Sequence, residues 1–280
     1  MKDEKLVLVT SNLSITVLPA MGGRISSLRS QKGEEWIAQP HAPLQARKMG
    51  DSFIRPEMAG WDEMVPTTDS CLASDGVTQL PDHGEVWSRA WEVDKFSNHE
   101  IFLSILLSTR SLKFERKITS TENKINIGYA LTNVGTSPMP AFWAAHPLFS
   151  AARLESIKIH PQPSFDQTYP DFPLKRLHLL PNTLVHGTSA EYWAAPQEQA
   201  EQVQLNAKDG STLKISWDCA KVPYFGIFVD NGEFSPEPVV SPQPSLAYFV
   251  SESKALASNR IPLLQPEEEI TWDLALELID

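Results

Sequence analysis

Apolar and polar residues alternate with a period of two through most of the chain, the pattern of strands with one buried face. Lys5–Thr10 and Leu13–Leu18 read as two strands joined at Ser11-Asn12, and Arg24–Arg29 follows the Gly22-Gly23 turn. Glu85–Lys95, Ile101–Thr109, Leu112–Thr119 and Lys124–Asn133 read as four successive strands. Ser156–His160, Glu201–Asn206, Thr212–Asp218, Tyr224–Asp230, Leu246–Ser251 and Ile270–Leu278 complete the set, with Asp209-Gly210 and Asn231-Gly232 as hairpin punctuation. Helical periodicity is weak. The best candidate, Ser189–Ala195, is short and stops near Pro196. Two stretches, 34–82 and 161–188, are rich in proline and lack a period; long irregular segments in compact domains are often functional loops. No repeat or shift in composition marks a boundary, so the pattern predicts one domain over 1–280. Its fold class is all-β: two large antiparallel sheets with long loops over one face.

Composition agrees. The 22 prolines outnumber the 13 glycines among 280 residues, which favours short strands and turns over helices. A formal net charge of −11 repels a phosphate backbone, so nucleic acid is excluded as a partner. No basic amphipathic stretch suggests membrane docking, and no apolar run approaches the ~20 residues of a spanning helix. The first residues lack the apolar core of a secretion signal, so a cytoplasmic location is expected. Cys71 and Cys219 sit in no metal-binding spacing and are read as reduced thiols; no metal is expected.

Four segments concentrate chemistry. Pro19-Ala20-Met21-Gly22-Gly23 reads as a sharp structural turn. Gly60-Trp61-Asp62-Glu63-Met64 sets two acids beside an indole. Carboxylates accept hydroxyl hydrogens and aromatic faces cover sugar C–H surfaces, although a solvated acidic turn with a packed tryptophan has the same pattern. Asp82-His83-Gly84-Glu85-Val86-Trp87-Ser88-Arg89 lies at a loop-to-strand junction where Glu85, Trp87 and Arg89 would share one strand face, with His83 just before it. His146 ends the apolar run Ala141-Phe142-Trp143-Ala144-Ala145, where reduced solvation tunes an imidazole; a core histidine satisfied by backbone is the competing reading.

In this order and spacing the segments resemble the aldose 1-epimerase family over nearly the whole chain, from Pro19 to Trp272. Asp82-His83-Gly84 and His146-Pro147-Leu148-Phe149 are the most specific matches. The resemblance implies a galactose mutarotase-like β-sandwich whose open cleft binds a monosaccharide, with no cofactor. It implies acid–base ring opening: a glutamate takes the anomeric proton, His146 protonates the ring oxygen, and His83 positions the ring. Asp62, Glu63, Trp61, Asp82 and Arg89 are expected to contact substrate. The base position has two registers. Glu237-Pro238 is a literal match to the family's Glu-Pro pair. Val239-Val240-Ser241-Pro242 has the apolar lead-in and places Ser241 there instead. A serine is no general base near neutral pH without another base beside it, so this second register implies a sugar-binding or sensing protein with little turnover. A sugar phosphate is a third possibility, with Arg47, Lys48, Arg55 and Arg89 as candidate phosphate contacts.

Overall fold

The structure, a computed structural model, describes residues 5–54 and 58–279. Arg55 therefore lies outside the described residues.

The alternation seen in the sequence resolves into two large antiparallel sheets. The first runs in the order Leu6–Val9, Leu13–Leu18, Arg24–Ser30, Trp61–Met64, Ala144–Pro147, Val239–Ser245, Tyr224–Asp230, Ser189–Ala194 and Phe165–Tyr169. The second runs Leu154–His160, Gln202–Ala207, Thr212–Trp217, Glu269–Ile279, Lys124–Asn133, Leu112–Ser120, Glu100–Leu106 and Glu92–Ser97. While the edge strand Glu92–Ser97 is exposed throughout, alternate residues of most of these strands enter one continuous apolar core shared by both sheets. Its centre is aromatic: Trp143 and Trp272 have ring centroids 5.0 Å apart, with Tyr129 4.9 Å from Trp143. Burying each such ring contributes about 1.5–3 kcal/mol, so the sheets need no further fastening.

Three expectations are corrected. Ser189–Ala194 is a strand, because its even positions Ala190, Tyr192 and Ala194 enter the core with a period of two. Leu246–Ser251 is not a strand. The sheet strand ends at Ser245, and Ser251 instead caps the helix Glu252–Ala257, accepting from the Lys254 amide at 3.3 Å. Glu85–Lys95 is broken by a 3-10 turn over Val86–Ser88, and its strand begins only at Glu92, so Glu85, Trp87 and Arg89 share no strand face.

The outer face of the first sheet carries the long segments. Phe53, Met58 and Trp87 pack on Leu148 and Val239, and Ala247 and Ala255 pack on Met64 and Ala144. Between these two covers the sheet face is open.

Candidate functional site

The open stretch is a cavity of about 320 Å3, at the lower end of the roughly 300–1,000 Å3 of small-molecule sites. Strand alternation builds its floor. Trp143, Ala145 and Phe149 point into the core, so His146 points out, into the cavity. The antiparallel register that pairs Ala144 with Ser245 and Phe149 with Val240 sets His146 across from Gln243. Gln243 in turn pairs with Gly226, and Phe228 pairs with both Ser241 and Glu191. Thus His146, Gln243, Phe228 and Glu191 line one cavity face from four adjacent strands.

His83 arrives from above, on a loop locked to the same sheet. Its amide donates to the Thr68 carbonyl at 2.5 Å, and Glu85 N donates to Val65 O at 2.8 Å. The backbone passes so close that a Cβ on Gly84 would sit 2.1 Å from the Val65 oxygen, and Gly84 has φ +72°. No other residue fits there. His83 itself is held at φ 59°. The result brings the two imidazoles together: ring centroids are 5.1 Å apart and nearly perpendicular. Phe53 stacks flat on His83 at 4.0 Å and stands edge-on to His146 at 4.9 Å.

His146 is buried, and its Nδ1 has no hydrogen-bond partner. Burial, followed by the positive field of His83 and Arg24, holds its pKa well below the usual histidine value. Asp82 lines the cavity beside His83, its carboxylate 3.0 Å from Nδ1. Two acids absent from the expected set also line it. Glu191 accepts a hydrogen bond from Thr168 Oγ1 at 2.7 Å; burial raises its pKa, and the neighbouring Asp69 adds to that. Asp69 is raised by burial in turn and opposed by Lys254, whose Nζ lies 3.8 Å away. Period-two reading of Ser189–Ala194 as a strand would have found Glu191. Nothing local marks Asp69, which lies in a loop.

The remaining expected contacts lie elsewhere. Trp61 and Glu63 point into the core, where Trp61 meets Phe149 edge-on at 6.3 Å. Asp62 is on the cavity side of its strand, beneath the lining, and is held by Arg24 through Nε at 3.0 Å and Nη2 at 2.6 Å. Arg89 donates to Glu85 at 3.2 Å and to the Leu106 carbonyl at 2.9 Å, away from the cavity. Glu237 is also outside the lining: it accepts from the Gln39 amide at 3.1 Å and from Ser150 Oγ at 3.2 Å. Ser241 is buried with an unpartnered Oγ, on the same strand face as Gln243. Arg47 lines a separate recess with Arg24 and Trp87, and Lys48 is exposed. Among the described residues no cluster of His, Cys, Asp and Glu is arranged to hold a metal, and no helix is long and apolar enough to cross a membrane.

No protein-family model and no curated protein matches the sequence. Solved structures do match in shape. The Slr1438 protein from Synechocystis sp. PCC 6803 aligns with a TM-score of 0.74 at 14% identity, covering 99% of this chain and 96% of that one. A galactose mutarotase related enzyme from Lactobacillus acidophilus aligns at 0.72 and 14% identity, covering 99% and 98%. A galactose mutarotase-like protein from Lactobacillus casei aligns at 0.69 and 12% identity, covering 99% and 100%. The chain has the galactose mutarotase-like fold, all-β with large antiparallel sheets.

Proposed function

We propose that the cavity binds a hexose in its pyranose form and interconverts its anomers by acid–base ring opening. The observation that carries this is the pair of imidazoles 5.1 Å apart over a cavity whose lining also holds carboxylates. Phe228 offers a ring to the sugar, and Gln243 offers a buried acceptor to its hydroxyls.

Glu237 is already committed to Gln39 and Ser150, so the base is assigned to a cavity carboxylate. Glu191 suits that role best. It lies on the sheet floor, and burial brings its carboxyl closer to neutral pH than a free glutamate. In the proposed step, Glu191 takes the proton from the anomeric hydroxyl while the C1–O5 bond breaks. His146 delivers a proton to O5, and His83 holds the ring oxygen end. Rotation about C1–C2 and the reverse transfers close the other anomer.

A second reading, sugar binding with little turnover, is favoured by two observations. In one of the two registers Ser241, buried in the sheet strand, stands at the base position, and burial disfavours the protonated His146 that an acid requires. Polarimetry of freshly dissolved α-glucose or α-galactose separates the two. The enzyme reading expects acceleration over buffer, reduced about 10²–10⁴-fold in both His146→Ala and Glu191→Gln. Saturable sugar binding without acceleration establishes the second reading. Neither binding nor acceleration with any hexose overturns both.

A further inference from the structure

The charge inside the cavity is lopsided. Asp69, Asp82 and Glu191 line it, against Lys254 as the lone lysine or arginine among the described lining residues. These acids lie close enough to feel one another: Asp69 raises the pKa of Glu191, and Asp82 raises that of Asp69. Lys254 is a weak counterweight. It is exposed, its Nζ lies 3.8 Å from Asp69, and it sits 5.2 Å over the Phe249 ring. Among the described cations read as phosphate contacts, Arg89 is held on Glu85 and Arg47 lines a separate recess with Trp87.

A second observation points to a ligand that donates hydrogen bonds. Gln243 is 2% exposed and lines the cavity, yet its Oε1 has no partner. A buried unpaired acceptor costs about 1–3 kcal/mol, and an N–H or O–H donor brought by a ligand removes that cost. The aromatic walls, Phe228 and Phe249 among them, present ring faces that attract a cation as readily as they cover C–H bonds.

We propose that this cavity selects a hexose bearing a positive charge, a protonated amino sugar, and discriminates against phosphorylated and uronic sugars. The inference rests on the sugar-binding reading above and adds the substrate class. An ammonium group relieves the crowding among Asp69, Asp82 and Glu191, whereas a phosphate or carboxylate adds to it.

Isothermal titration of the full chain with glucosamine, N-acetylglucosamine, glucose and glucose 6-phosphate tests it, at a pH where the amine is protonated. Glucosamine is expected to bind about tenfold tighter than glucose, the scale of one partly buried charge contact. N-acetylglucosamine keeps the shape without the charge and is expected to lose that gain. Glucose 6-phosphate is expected to bind more weakly than glucose. Raising the salt narrows the glucosamine advantage, and Asp69→Asn shrinks the glucosamine-to-glucose ratio. Equal affinity for glucosamine and glucose, or tighter binding of the phosphate, overturns this inference and leaves the sugar-binding reading intact. Absence of binding by all four, and by galactose and the other hexoses, removes both.

Discussion

Asp62 and Glu63 are adjacent in one strand and point to opposite faces of the same sheet, and the two faces treat polar groups differently. On the core side both oxygens of Glu63 are paired, one with Arg116 Nη1 at 3.2 Å and Tyr129 OH at 2.9 Å, the other with Trp143 Nε1 at 2.9 Å. On the cavity side His146 Nδ1, Ser241 Oγ and Gln243 Oε1 are buried and unpaired. Both regions are dense in charge and aromatic rings, so density does not mark the site. An unpaired atom by itself does not mark it either, since Arg116 Nε, Trp61 Nε1 and Trp272 Nε1 are buried and unpaired on the core side; an unpaired atom that lines empty space, as Gln243 Oε1 does, marks it, because a protein that keeps a buried orphan there gives up stability at that point.

Breaking the Glu63 cluster has the largest expected effect. Arg116→Met leaves the Glu63 carboxylate fully buried without its cation, which should cost about 3–5 kcal/mol of stability. Gln243→Met, on the cavity side, removes an acceptor that has no partner and should be neutral or slightly stabilising while weakening sugar binding. Urea unfolding reads both. If the two variants lose equal stability, the contrast between the faces is wrong.

Titration sharpens the same contrast. Burial pushes the Glu63 carboxyl up to about 7, against the pull of Arg116. Between about 4.5 and 7 the folded chain holds a proton there that the unfolded chain releases, so stability from this group falls as pH rises. His146 acts in the opposite sense. Its folded pKa lies below 6.5, so as pH drops below that value the unfolded chain takes up the proton first, and stability falls with falling pH. The two slopes oppose each other in the intact protein. Denaturant midpoints across this window should therefore tilt upward with pH in Glu63→Gln and downward in His146→Ala, each relative to the parent. Identical profiles for parent and both variants would show that neither group is perturbed by its face.

How much of this was legible in the sequence follows from range. Period-two alternation is local, so the hairpin of Leu6–Val9 with Leu13–Leu18 and the long strands such as Lys124–Asn133 were readable. The short motifs around His83 and His146 were readable as well, because Gly84 and the apolar lead-in to His146 are local signals. Register between distant strands was not. Whether Glu63 or Asp62 faced the cavity depends on the pairing of Trp61–Met64 with Ala144–Pro147, eighty residues apart, and a shift of one residue would exchange them. Asp69 and Glu191 meet only because two strands and a loop converge, and no pattern in either segment announces the other.

The smallest expected effect concerns Glu237, a carboxylate that the literal Glu-Pro match would put at the reacting centre. Its two oxygens are already used, by the Gln39 amide and by Ser150 Oγ, in a setting that ties the 34–39 stretch to the strand edge. Glu191 also accepts a hydrogen bond, but it lines the cavity, whereas Glu237 does not. Glu237→Gln preserves shape and keeps one acceptor oxygen, so it should lower stability by about 0.5–1.5 kcal/mol, the scale of one hydrogen bond, and leave the mutarotation rate and sugar affinity at parent values. A Glu237→Gln variant that folds normally, binds sugar and yet loses the rate would return the base to this residue, and the assignment of the base to a carboxylate that lines the cavity would fail at the group that matters most.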